Sequence, residues 1–368
     1  PSGLMAILAG SADEEDEDGG FEDGTGAAAR FNNPSRMAVD PAGRVAVTDL
    51  NNNALRLVSK AGAVSTLAGN GEAGFADGQG AAARFNEPRA VVLAANGEFV
   101  VADTANHALR AVTPGGAVRT LAGNGEAGFA DGQGAAARFN CPAGLALDAD
   151  GSVLVADFGN HAVRRVTMAG AVSTVAGNGE AGFADGEGAA ARFHFPEDVV
   201  VDRAGTIVVA DMDNHRLRKI VGGQVTTLAG GSEAGAADGA GAGARFNRPA
   251  RLALDERGRL LVAEFSREDT LRVVVSAALE PPAWMGPVDP EAAAAAEAQK
   301  EKVEQMEQVL ENYGNLLEDG DLADGVIVAG GQRFPMHRNV LAARSEYFRG
   351  RFKSGMQDGS TSEVRYED

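Results

Sequence analysis

Apolar and polar positions alternate in short runs along most of this chain, and the clearest stretch is Ala143 to Ala176. Four runs rich in β-branched and aliphatic residues, Gly144 to Leu147, Val153 to Ala156, Ala162 to Val166 and Val172 to Val175, are separated there by Asp-Ala-Asp-Gly, Phe-Gly-Asn-His and Ala-Gly-Ala. Short apolar runs bounded by turn residues predict strands joined by hairpins, so the stretch predicts a four-stranded antiparallel sheet. Between such stretches lies a Gly-rich segment, Leu121 to Phe139 in its clearest form, and it or a close relative occurs five times. The Phe that closes each copy falls at Phe31, Phe85, Phe139, Phe193 and Phe246, in steps of 54, 54, 54 and 53 residues. Self-similarity at that period predicts an array of units, each able to bury its apolar face only against a neighbour. Four-stranded sheets repeated radially around a channel make a β-propeller, so the fold class is mainly β.

The two ends of the array predict how the ring closes. The last unit has Arg251 to Leu254, Leu260 to Ala263 and Leu271 to Val275, and no fourth strand ending in Leu-Ala-Gly follows. The chain opens with Met5 to Gly10, MAILAG, which matches the fourth strand of the other units. The N-terminal strand is therefore expected to close the last of five blades, on residues 1–276; residues removed upstream would allow a sixth. In the Gly-rich links, Asp131-Gly132 and the run Ala135 to Phe139 predict a capped helical turn that drops the Phe between blades. No Lys-Ser or Lys-Thr follows these glycines, and no EF-hand spacing is present, so phosphate and calcium sites are not assigned.

The hairpin after the second strand carries the other repeated polar residues. Asp49, Asp103, Asp157 and Asp211 end second strands, with Glu264 shifted by one, and Arg56, Arg110, Arg164, Arg218 and Arg272 sit on third strands. A carboxylate folded onto the hairpin amides with an arginine beside it satisfies polar groups at the blade end, so these residues are read as scaffold. His107, His161 and His215 occupy equivalent positions in successive blades, where blade one has Asn53. Three such histidines ring a zinc ion only if they converge, and equivalent off-axis positions lie on a wide circle. They too are read as scaffold, as is the lone His194 that replaces the Asn of Arg-Phe-Asn. No catalytic residue, cofactor or metal is assigned, and the repeats look so alike that no face stands out.

Composition narrows the classes of partner. The 368 residues carry a formal net charge of -19, with 24 basic against 36 acidic residues up to Glu280 and 9 against 16 afterwards. An acidic balance in both halves argues against a phosphate-backbone partner, which needs a basic face. Cys141 is the single cysteine, which points to a reducing compartment and to a cytoplasmic or nuclear protein. No apolar run reaches the roughly 18 residues of a membrane span. The opening PSGLMAILAG lacks a basic leader, and its missing initiator Met suggests a processed or excised piece.

The order Asn-x-Pro, strand, Val-x-Val-Ala-Asp, then Asn-His-x-Leu-Arg resembles the NHL repeat, and the resemblance covers Met5 to about Val275. It implies a propeller that serves mostly as a binding platform. Family members commonly have six blades, from which the five counted here depart. A minority of NHL-like propellers are metal-dependent lyases or lactonases, and some bind RNA, so both remain as alternatives. The RNA alternative rests on whether Arg89, Arg119, Arg165, Arg216, Arg218, Arg248 and Arg251 line one face.

After Val275 the composition changes. Pro281, Pro282 and Pro287 mark a linker over 277–289, and Asp289-Pro290-Glu291 predicts a helix start. A helix over 290–314 follows, with a stripe from Val303 through Met306, Leu310 and Tyr313 that needs a partner surface. Residues 315–368 then predict a strand Gly325 to Ala329, a hairpin, a short strand near Phe334, a helix Asn339 to Phe352 and a strand Val364 to Tyr366. This segment resembles the start of a BTB/POZ domain through Asp324, Val326, Val328, Gly331, Phe334, His337, Arg338, Tyr347 and Phe348. It ends roughly halfway through such a domain. The resemblance implies a homodimer, with Asp324, His337 and Arg338 at the dimer pocket. It also implies docking to a cullin scaffold through Met356 and Asp358, where Asp stands in place of the usual Glu. The expected function is a protein-interaction scaffold, a substrate adaptor of a cullin-type ubiquitin ligase rather than an enzyme. The propeller would bind a protein partner, with nucleic acid and membrane disfavoured.

Overall fold

The structure is a computed structural model, and it describes residues 7–10, 19–265, 271–276 and 279–282 in full. It also describes the backbone of Gly325–Ala329, Gln332–Met336 and Glu363–Arg365. The chain divides into two compact units, Pro1–Pro287 and Val288–Asp368.

The first unit is a five-bladed propeller. In blade three the sheet runs from the inside outward as Pro142–Leu147, Val153–Asp157, Ala162–Val166 and Ala171–Ala176. These strands pair antiparallel in sequence order, as the alternation of apolar and polar runs predicts. A fifth strand, Gly132–Gln133 from the Gly-rich link, then pairs with the outer strand, and blades one, two and four repeat this order. The two-residue strand was invisible in the apolar pattern because glycine and glutamine contribute backbone pairing and little burial. Its effect is to cover the outer edge of each complete blade. Blade five consists of Pro249–Leu254, Leu260–Glu264 and Leu271–Val274. Among the described residues no strand pairs with its outer edge.

Each link does make a helical turn, a three-residue 3-10 helix such as Gly134–Ala136, but Asp131 does not cap it. The residue before the turn is Gln133, and no side chain caps the turn at all. Asp131 instead accepts from Arg164 Nη2 at 2.7 Å and from Thr174 Oγ1 at 2.9 Å. A carboxylate capping a backbone N–H makes one charge-assisted bond, whereas pairing with the buried Arg164 guanidinium also brings together opposite full charges. Gly134 opens the turn at φ +56, which a glycine adopts without strain. The closing Phe lands between blades as expected: Phe85, Phe139, Phe193 and Phe246 are all buried.

The core consists of layers between neighbouring blades. One cluster packs Leu109 and Val100 of blade two against Phe139, Leu145 and Val155 of blade three. The next packs Leu154 and Val163 of blade three against Phe193, Val199 and Val209 of blade four. At the N-terminus, the Gly10 N–H donates to Gly26 O at 3.1 Å, as Gly69, Gly123 and Gly177 donate to Gly80, Gly134 and Gly188. Residues 7–10 thus approach blade one as each fourth strand approaches the following blade. Residues 5 and 6 of the expected closing strand lie outside the described residues.

In the second unit, Gly325–Ala329 is the centre of a three-stranded sheet. It pairs antiparallel with Gln332–Met336 and parallel with Glu363–Arg365. The expected helices over 290–314 and 339–352 lie outside the described residues.

Candidate interaction face

One end of the propeller is built from the links between blades and the hairpins joining second to third strands. Its repeated element is a buried arginine. In blade three, the pairing of Ala162–Val166 with Ala171–Ala176 shifts register between Val163 and Arg164, and blades one and four shift at the same place. A bulge re-aims the side chain beside it. Arg164 is thereby brought to Asp157 Oδ2 at 2.8 Å through Nη1, which also donates to Arg138 O at 3.0 Å. Its Nη2 reaches Ala130 O and Asp131 Oδ1, both at 2.7 Å. The guanidinium lies between the rings of Phe129 and Phe139, at 4.9 and 5.3 Å from their centroids. Arg56, Arg110 and Arg218 repeat the arrangement with Asp49, Asp103 and Asp211 at 2.7 to 2.8 Å. Arg272 keeps it only in part, with Asp238 at 2.6 Å and Glu264 at 3.7 Å.

The carboxylates accept differently from the sequence expectation. Asp157 Oδ1 accepts from the Asn140 N–H at 2.8 Å, in the link that begins the same blade, while Oδ2 takes Asn160 and Arg164. The strand-two carboxylate therefore bridges two segments: Oδ2 takes the side-chain amide of Asn160 in its own hairpin, and Oδ1 points back to the link and pins it. Burial raises Asp103 and Asp157 to about 6, against the lowering pull of their asparagine, backbone and arginine partners, so both remain charged at neutral pH.

The histidines are staples between blades. Nδ1 of His107, His161 and His215 accepts from the backbone N–H of Cys141, Phe195 and Arg248 at 3.0, 3.1 and 3.2 Å. Asn53 Oδ1 does the same for Glu87 at 2.9 Å. Every one of these donors sits at φ between 50 and 57, in the left-handed region. Burial lowers the pKa of all three histidines. An Nδ1 that accepts is unprotonated, consistent with that direction. Among the described residues no group of three His, Cys, Asp or Glu is placed to hold a metal ion.

At the channel, Glu197 and Asp198 of the blade-four inner strand are buried and gather arginines from three other blades. Glu197 pairs with Arg89 and Arg251, and Asp198 pairs with Arg36 and accepts from the Leu252 N–H at 2.8 Å. The arginines whose alignment would have indicated an RNA face are thus largely neutralised. Arg119 pairs with Glu98, Arg165 with Asp148 and Asp150, and Arg248 with Asp213.

One region departs from the repeat, which the sequence pattern did not reveal. Phe158 and Phe195 stack at 4.6 Å between centroids, His194 lies 4.9 Å from Phe195, and His161 lies 4.7 Å from Phe195 and 5.7 Å from His194. All four side chains are half-buried. The signal available in the sequence was one departure, His194 where the other blades have Asn, beside two positions that vary from blade to blade. Phe158 stands where blade two has Thr104, and His194 and Phe195 stand where blade three has Asn140 and Cys141. The residues expected at a dimer pocket, Asp324, His337 and Arg338, and at a cullin contact, Met356 and Asp358, lie outside the described residues.

A repeat propeller whose blade ends are held by buried arginine–carboxylate pairs is the class that the fold defines. Family models match the NHL repeat at residues 85–111, 139–165 and 193–220, and the BTB/POZ domain at residues 313–368. The NHL matches fall within the propeller, and the BTB/POZ match falls at the C-terminal end of the chain. It is 31% identical over 278 residues to Protein SUPPRESSOR OF QUENCHING 1, chloroplastic, of Arabidopsis thaliana, covering 70% of this chain and 26% of that protein. It is 43% identical over 58 residues to Kelch repeat and BTB domain-containing protein 8 of Homo sapiens, covering 16% of this chain and 10% of that protein. The chain thus spans about a quarter and a tenth of these relatives. Among solved structures, an auxiliary nutrient binding protein from Bacteroides thetaiotaomicron is similar at a TM-score of 0.46 and 17% identity, over 73% of this chain and 75% of that one. A streptogramin B lyase is similar at 0.44 and 10% identity, over 68% and 70%.

Proposed function

We propose that this protein is a non-enzymatic adaptor: the propeller holds a protein partner, and the BTB/POZ segment dimerises and docks a cullin scaffold of a ubiquitin ligase. The observation that carries this reading is the presence in one chain of a repeat propeller and a BTB/POZ match. Kelch repeats also form propellers, so the name of the Kelch repeat and BTB domain-containing relative describes the same pairing. Dimerisation would present two propellers to one partner and raise avidity without a new contact. Protein is favoured over RNA as the partner because Arg89, Arg119, Arg165, Arg248 and Arg251 are each paired with a carboxylate. A reducing compartment, cytoplasm or nucleus, fits the single cysteine.

The test is a pull-down of a cullin scaffold by the full-length protein, with Met356→Ala and Asp358→Ala as controls, and light scattering for the dimer. Capture that both substitutions abolish supports the adaptor. A dimer that captures no cullin reduces the BTB/POZ segment to self-assembly, and a monomer without capture removes the reading.

A further inference from the structure

The links between blades carry one dipeptide three times, Asn70-Gly71, Asn124-Gly125 and Asn178-Gly179, and the first hairpin of blade two carries it once more as Asn96-Gly97. We propose that the three link asparagines are sites of spontaneous deamidation in the folded protein and that Asn96 is protected. The link end of the propeller then gains negative charge and lengthened backbone with age, and the hairpin does not.

The four sites form a matched set. In each, the asparagine Oδ1 accepts from the backbone N–H of the residue after the glycine, Glu72, Glu126, Glu180 or Glu98, at 3.1 Å. That bond folds the side chain over the intervening peptide, sets Cγ toward the glycine nitrogen and draws electron density from the Cγ carbonyl. The glycines share one backbone conformation, with φ +91, +89 and +88 in the links and +85 in the hairpin. They differ in what the glycine N–H does. Gly97 donates to Ala94 O at 2.9 Å, and Asn96 Nδ2 donates to Glu98 Oε2 at 2.8 Å. Among the described residues nothing accepts from the N–H of Gly71, Gly125 or Gly179. A nitrogen that donates must give up that bond before it can lose its proton and attack, and the leaving amide of Asn96 must break a second one. Exposure acts in the other direction, because Asn96 is exposed and the link asparagines are half-buried. The two influences are therefore separable.

The reaction needs only water and hydroxide. The glycine nitrogen loses its proton to hydroxide and bonds to Cγ; the Cγ–Nδ2 bond breaks, and Nδ2 takes a proton from water and leaves as ammonia. Water then opens either carbonyl–nitrogen bond of the resulting succinimide, giving aspartate or isoaspartate. In isoaspartate the main chain runs through Cβ and Cγ and gains a methylene where there is little room. A Cβ at Gly71, Gly125 or Gly179 would lie 3.3, 3.2 or 3.0 Å from the ring of Phe21, Phe75 or Phe129. Those rings cover Arg56, Arg110 and Arg164 at 4.9 Å, so isoaspartate loosens the rings over the buried arginines of blades one to three.

The test incubates the full-length protein at mildly alkaline pH, folded or in urea, and digests it with trypsin. The four asparagines fall on separate peptides, 61–84, 90–110, 120–138 and 166–192, and each is followed by Gly-Glu. Mass spectrometry should show Asn70, Asn124 and Asn178 converting several times faster than Asn96 in the folded protein, and all four at similar rates in urea. Asn96 keeping pace with the links in the folded protein would overturn the proposal, as would folded links that stay intact while unfolded ones convert. The separated isoaspartate product should unfold at lower urea than the variant Asn70→Asp with Asn124→Asp and Asn178→Asp, which adds the charge without the methylene. Equal midpoints would remove the loosening of the rings.

Discussion

The four seams between consecutive blades and the two outward faces of blades one and five are made of the same residue positions in different surroundings. On the inner strand, Val91, Leu145, Val199 and Leu252 are at most 8% exposed, whereas Met37 at the same position of blade one is 69% exposed. On the third strand, Leu55, Leu109, Val163 and Leu217 are fully buried, whereas Leu271 of blade five is 69% exposed. An apolar position in a repeat protein is therefore a request for burial, which the next blade grants. Stability in such an array is a sum of unit and interface terms, so equal substitutions should have unequal effects at a seam and at an outward face.

The largest effect is expected at the arginine. Arg164→Ala leaves the Asp157 carboxylate buried without its cation and should cost about 3–5 kcal/mol in urea unfolding. Arg272→Ala, whose carboxylate lies 3.7 Å away and whose other partner Asp238 is exposed, should cost much less. Equal losses would mean that the outlying blade is as tightly pinned as the inner ones.

Next comes the third-strand leucine. Leu109→Ala should cost about 2–5 kcal/mol as a buried large-to-small change. Leu271→Ala should stay within about 0.5 kcal/mol, as for an exposed position. A loss at Leu271 as large as at Leu109 would show that something covers that face in solution.

The smallest effect is a pH dependence in the seams. The folded pKa of His107, His161 and His215 lies below the ordinary value of 6.5, so the folded state binds fewer protons than the unfolded chain. Stability from these groups is therefore present above 6.5 and is lost as the pH falls through 6.5 toward the depressed values. Asp103 and Asp157, raised to about 6 from 3.8, act with the opposite sign over the range from about 6 down to 3.8. The comparison that isolates the histidines is wild type against the triple His→Asn variant at these positions. Asn53 shows that an asparagine can hold the same bond. The variant should lose less stability than wild type between neutral pH and pH 5; parallel curves would remove the histidines as acid-sensitive staples.

Much of the propeller was legible in the chain. The 54-residue step, the apolar runs and the recurrent Asp and Arg identify strands, blades and the partners at the blade ends, because each depends on local periodicity or on exact repetition. The roles within those pairings were less legible. Asp131 reads as a cap from its place before a helical turn, yet Arg164, 33 residues later, takes it. The strand-two carboxylates look toward their own hairpins, and Asp157 does take Asn160 there, but its other oxygen bonds an amide 17 residues earlier. The aromatic patch was hidden for a related reason. His194 looks like an isolated lapse in a repeat, Phe158 and Phe195 stand at positions that vary from blade to blade, and only folding puts a hairpin of blade three beside the start of blade four.

The sequence by itself determined the kind of unit, the number of copies and the residues that every blade must satisfy internally, since hydrogen bonding and strand alternation are short-range demands repeated in register. The tertiary structure alone decided which apolar positions are buried, which carboxylate holds which arginine, and where the face differs from one blade to the next. Those outcomes depend on contacts between units, and identical units cannot encode in their own sequence which of them has a neighbour.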